Sequence, residues 1–129
     1  MKSTSDAVLA YLEAWNENDT VKRAALLSRC WAEDGIILNE REQLYGRASV
    51  EARIASFREQ CPHDRGRLTS EIQVCGIWFR FAAEVVRPDG SRYSQVLDVG
   101  EIDSEGRIVR IVTFNEPLGT PRLSLDDRR

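Results

Sequence analysis

The chain has 129 residues, 42% of them hydrophobic and 30% charged, with a net charge of −3 at pH 7, a size and balance suited to one globular domain with a proper core. Both signs of charge are interspersed, which argues against nucleic acid or an anionic membrane as a partner, and no apolar run approaches the roughly 20 residues that span a bilayer. The opening "MKSTSDAVLAYLEAWNEND" breaks its apolar positions with Asp6 and Glu13, unlike a secretory signal, so a cytoplasmic protein is expected.

Ala7, Val8, Tyr11, Leu12, Ala14 and Trp15 recur at helical spacing and predict a first helix near 4–17. "NEND" closes it, and Asp19 or Thr20 can cap a second helix over 20–30, which runs into Cys30 and Trp31. "WAEDGIILNE" then turns at Asp34-Gly35 into a short strand, 36–39. Gly46 precedes a third helix near 48–60, with Val50, Ile54, Phe57 and Cys61 along one stripe. After Pro62 come "CPHDRGR", read as a loop, and three strand-like runs at about 69–87, 92–103 and 107–115, separated by the turn sequences "RPDGS" and "DSEG". Helices first and strands later predict an α+β domain over 1–116, with helices on one face of a curved antiparallel sheet. Residues 117–129 read as a tail.

The chemistry-bearing residues are few. Cys30, Cys61 and Cys75 are widely spaced and His63 is the single histidine, so neither a disulfide framework nor a multi-histidine metal site is signalled, and no cofactor is expected. Asp98 is the anomaly. Strand alternation groups it with Val96, Gly100 and Ile102, and sets Gln95, Leu97, Val99 and Glu101 on the other face. A carboxylate on a largely apolar face is solvated, paired or neutralised, because burying the bare charge is costly.

"YLEAWNENDTVKRAALLSRCWAEDGIIL", "YGRASVEARIASF" and "LDVGEIDSEGRIVRIVTF", in this order and spacing, resemble the nuclear transport factor 2-like superfamily and its SnoaL-like members. That resemblance covers about residues 5–116 and implies a cone in which the sheet wraps the helices around a deep apolar pocket for a small hydrophobic molecule. It also implies a homodimer through the outer sheet face. In the related ketosteroid isomerases a protonated aspartate and a tyrosine donate hydrogen bonds to an oxyanion; Asp98 and Tyr11 stand at the matching positions. Where those isomerases keep a basic aspartate, this chain has Asn39, with Glu40 next to it, and an amide cannot abstract a proton. Scytalone dehydratases use pocket histidines, and limonene epoxide hydrolases an Asp-Arg-Asp cluster; Arg80 and Arg110 are expected to face outward. Polyketide cyclases, which rely on pocket shape and one carboxylate, are the least contradicted enzymes.

Combining the resemblance with strand alternation, Asp98, Tyr11 and Asn39 are expected to converge on a cavity walled by Trp15, Trp31, Phe57, Phe81, Ile111 and Thr113, with Asn115 at its mouth. The aromatic residues are more often plain core than ligand contacts, Tyr11 equally fits a core tyrosine whose hydroxyl satisfies a buried polar group, and an ion pair with an arginine across the sheet is the alternative for Asp98. Trp78, Leu97, Val99, Val112 and Phe114 are expected on the outer, dimer-forming face. Two functions remain open: a cofactor-free isomerase or cyclase using Asp98 and Tyr11, and a non-catalytic binding or dimerisation module.

Overall fold

The computed structural model describes residues 3–117. Three helices, α1 (Thr4–Asn16), α2 (Thr20–Cys30) and α3 (Arg47–Gln60), pack against a seven-stranded sheet. Helix α1 starts where Ser3 and Asp6 form a reciprocal capping box, and α2 starts where the Asp19 carboxylate accepts from the Lys22 amide at 2.9 Å. The apolar stripe of α1 is buried: Ala7, Val8, Tyr11 and Ala14 are all within 3% of full burial. Gly46, at φ 89°, turns the chain into α3, a conformation that costs glycine little.

The strands are β1 (Trp31–Leu38), β2 (Gln43–Tyr45), β3 (Arg65–Leu68), β4 (Gln73–Cys75), β5 (Trp78–Val86), β6 (Arg92–Ile102) and β7 (Ile108–Glu116). They run in the order β2-β1-β7-β6-β5-β3, with β4 also on β5. Every pairing is antiparallel except β1 on β7, so the sheet is mixed and not wholly antiparallel as expected. The long segment between β1 and β7, which includes α3, gives the chain length that a parallel pairing needs.

Three local expectations are corrected. Trp31 does not end α2 but opens β1, pairing with Ile108; the register then shifts before Ile36 pairs with Arg110. Gly35 lies within that irregular stretch and packs so closely on Trp31 that an added Cβ would meet the indole nitrogen at 2.6 Å. "RGRL", inside the expected loop, is the edge strand β3. The run 69–87 is divided, because Gly76, at φ 63°, turns β4 back onto β5 so that Cys75 pairs with Trp78. The expected tail, from 118 onward, lies outside the described residues.

The core joins the α1 stripe, Leu27, Val50 and Ile54 to Trp31, Phe79, Phe81, Ile108 and Ile111. Phe79 lies directly across from Gly100, and a Cβ there would collide with its ring and stand 2.6 Å from the Arg110 carbonyl. Glycine at 100 therefore lets the Phe79 ring lie across β6, one pleat from Asp98. No described helix is long and apolar enough to cross a membrane.

Candidate functional site

Strand β6 delivers Asp98 to the concave face, opposite Phe81 on β5 and Thr113 on β7. Asp98 is 5% exposed, and its Oδ1 has no hydrogen-bond partner among the described residues. Burial pushes the carboxyl up to about 6, against a hydrogen bond from the Thr113 side chain that acts the other way. Near neutral pH such a group exchanges protons readily and is mostly ionised.

Helix α1 delivers Tyr11, whose ring stacks on Trp31 at 5.2 Å and meets Trp15 edge-on at 6.4 Å. Burial first, and the Asp98 charge second, raise the phenol well above its ordinary range, with a weaker opposing hydrogen bond from Trp15. Tyr11 thus keeps its proton and can donate it in a hydrogen bond. A neutral phenol donor near an easily titrated carboxylate with one oxygen free of hydrogen bonds can polarise a carbonyl and move a proton.

Both side chains line a cavity of about 290 Å³, at the small end of the range for small-molecule sites. Trp15, Phe57, Asn39, Thr113 and Asn115 also line it. Trp31, Phe81 and Ile111 do not: at 0%, 1% and 0% exposure they form the packed layer behind the wall. Alternation settles which face Phe81 and Ile111 occupy, but not that other side chains lie between them and the open space. Leu12, Ile37, Leu44, Ala83 and Val96 complete the apolar wall.

Asn39 plays a structural part absent from the sequence reading. Its Oδ1 accepts from the Arg41 and Glu42 amides at 2.8 and 2.9 Å, and its own amide donates to the Glu42 carbonyl at 3.0 Å. It therefore pins the β1–β2 turn. Glu40 is exposed and accepts from the Asn115 side chain at 2.9 Å. Arg80 and Arg110 are exposed, Arg80 on Gln73 and Arg110 on Glu101.

Several lining charges were not singled out from the sequence. Glu42 pairs with Arg53 of α3 at 2.9 Å, and Glu84 with Arg67 at 2.8 Å and Arg92 at 3.4 Å. Arg41 stands with them in the lining. Arg41 and Glu42 in a short turn carry no periodic signal, and their convergence with Arg53 of α3 and Glu84 of β5 depends on which elements pack together. Among the described residues, no group of three or more His, Cys, Asp or Glu is placed to hold a metal ion. A separate hollow of about 330 Å³ against α1, bordered by Asp6, Glu13 and Arg29, contains neither Asp98 nor Tyr11.

No protein-family model matches the chain, and no curated protein does. Solved structures do. A candidate isomerase of the SnoaL-like family from Agrobacterium tumefaciens is 30% identical, with a TM-score of 0.82 over 91% of this chain and 100% of that one. A candidate polyketide cyclase from Sinorhizobium meliloti is 22% identical, with a TM-score of 0.67 over 88% of this chain and 99% of that one. A SnoaL-like candidate polyketide cyclase from Jannaschia is 14% identical, with a TM-score of 0.70 over 88% and 85%. The last two are similar in fold.

Proposed function

Because the chain belongs to the SnoaL-like family, we propose that it is a cofactor-free acid–base enzyme acting on a small hydrophobic carbonyl compound, of the isomerase or cyclase type. The observation that carries this reading is the buried Asp98 carboxyl, raised to about 6 and lacking a partner on Oδ1, beside the un-ionised Tyr11. Asp98 as carboxylate removes a proton from the carbon next to the carbonyl. The C–H electron pair moves into the enolate, whose oxygen accepts the Tyr11 hydrogen bond, and the Asp98 acid then returns the proton. The separate base that Asn39 cannot supply is not needed, since Asp98 is ionised often enough near neutral pH to act itself.

The test is hydrogen–deuterium exchange at the α-carbon of small cyclic and aryl ketones in D₂O, followed by NMR. Wild-type protein is expected to accelerate exchange, with a rate that rises with pH and levels off above about 6. Tyr11→Phe, which loses the oxyanion donor, is expected to be slower by roughly 10²-fold. Ketones that bind without exchanging would leave a binding protein and sink the enzymatic reading.

The cytoplasmic, homodimeric state belongs to the same proposal. On the convex face Leu97 pairs with Phe114 and Val99 with Val112, and Trp78 and Phe114 are 48% and 53% exposed. A second copy would cover this apolar patch. Light scattering is expected to give twice the monomer mass at micromolar concentration, with an interface above about 1,000 Å²; a monomer mass would refute it.

A further inference from the structure

The two ends of the cavity differ in kind. Asp98 and Tyr11 are both buried, whereas Arg41, Glu42 and Arg53, which also line the cavity, are exposed or half-buried and mark its outer end. The other charges at that end are ion-paired: Glu42 with Arg53, and the buried Glu84 with Arg67 and Arg92, which do not themselves line the cavity. Arg41 is the exception. It lines the cavity, is exposed, and has no ion pair among the described residues.

Arg41 is also held in place. The Asn39 side chain fixes its backbone amide at 2.8 Å, and the neighbouring Glu42 is tied to Arg53 of α3. A guanidinium carried on a pinned turn is a better recognition element than one on a free loop, because less ordering is needed on binding. Its fork geometry suits a carboxylate, which it can bond through two N–H groups at once.

Resting on the proposed reaction at Asp98 and Tyr11, we propose that the ligand is amphipathic: a carbonyl or enol oxygen at the inner end and a carboxylate, or a similar anion, at the outer end, bound by Arg41. This assigns Arg41 as the residue that selects among small carbonyl compounds. The apolar stretch between, walled by Leu12, Phe57 and Val96, accepts the hydrocarbon or ring portion.

The experiment compares 3-(4-hydroxyphenyl)propionate with its uncharged amide, both of which offer a phenol oxygen to Tyr11 as an enol mimic. Calorimetric titration of wild type is expected to show the acid binding about fivefold tighter than the amide, with the preference shrinking at high salt. Arg41→Gln is expected to bring the two affinities together, and Arg41→Lys to retain part of the preference. Tyr11→Phe should weaken both ligands alike. Equal affinities in wild type, or a preference that survives Arg41→Gln, would overturn the anionic assignment while leaving the inner site standing. Failure of either compound to bind, or Tyr11→Phe affinities unchanged for both, would overturn the inner site and this inference with it.

Discussion

Asp98→Asn is expected to make the protein more stable at neutral pH while abolishing proton transfer. The folded carboxyl titrates at about 6 and its ordinary value is 3.8, the shift arising mainly from burial. Between those values the folded protein keeps a proton that the unfolded chain has released. Stability contributed by this group is therefore full below about pH 4, falls as pH rises towards 6, and stays low above it. The difference is about two units, or roughly 3 kcal/mol. Asparagine mimics the protonated acid, can still accept from Thr113, and carries no charge to bury. A gain of about 2–3 kcal/mol at pH 7.5, or roughly 10 °C in Tm, is expected, together with loss of the pH dependence between 4 and 6. Exchange activity should fall by roughly 10²–10⁴-fold. A variant less stable than wild type at pH 7.5 would mean that the carboxylate makes compensating interactions in the fold. Gain of stability on removal of an active group is the expected signature of a site built against the preferences of the fold.

Arg58→Met is expected to be among the most destabilising single changes. Arg58 is 3% exposed and its guanidinium spans four acceptors. Nε donates to Asn18 Oδ1 at 2.7 Å, Nη1 to the Trp15 and Asp64 carbonyls at 3.1 and 2.8 Å, and Nη2 to the Pro62 carbonyl at 2.7 Å. One side chain thus ties the end of α1 and the loop after it to the segment that leads from α3 into β3. Burial lowers its pKa, with nearby Arg65 adding to the effect. Methionine fills the stem's space but leaves those oxygens without donors, at a cost of about 3–5 kcal/mol. Arg58→Lys, with three donors from a single point, is expected to fall between. Denaturant unfolding would measure both. Because Trp15 and Phe57 line the cavity beside this junction, weaker ligand binding should accompany the lost stability. A change of less than about 1 kcal/mol would show that water replaces the guanidinium.

Elements whose signals are local were legible in the amino-acid order. Period-3.6 stripes and caps set the three helices to within about two residues, as in Val50-Ile54-Phe57 on α3 and Asp19 at the start of α2. Period-2 alternation on β6 put Asp98 on one face with Val96 and Gly100, and "RPDGS" and "DSEG" marked the turns on either side of it. Tertiary structure decided what depends on partners distant in the chain. Trp31 is a strand residue because β7 lies beside it, and nothing within a few positions of Trp31 encodes that pairing. "RGRL" lacks apolar alternation and becomes a strand because the β5 edge offers it a ladder. Trp31, Phe81 and Ile111 occupy the layer behind the cavity wall because the depth of a side chain depends on everything packed in front of it. The same holds for charge: Arg58, Glu84 and Arg41 look alike in the sequence, yet one is buried among carbonyls, one is paired, and one stands unpaired at a cavity mouth. Desolvation is a property of the assembled surroundings. Only the closed fold could raise Asp98 to about 6 and keep Tyr11 protonated beside it.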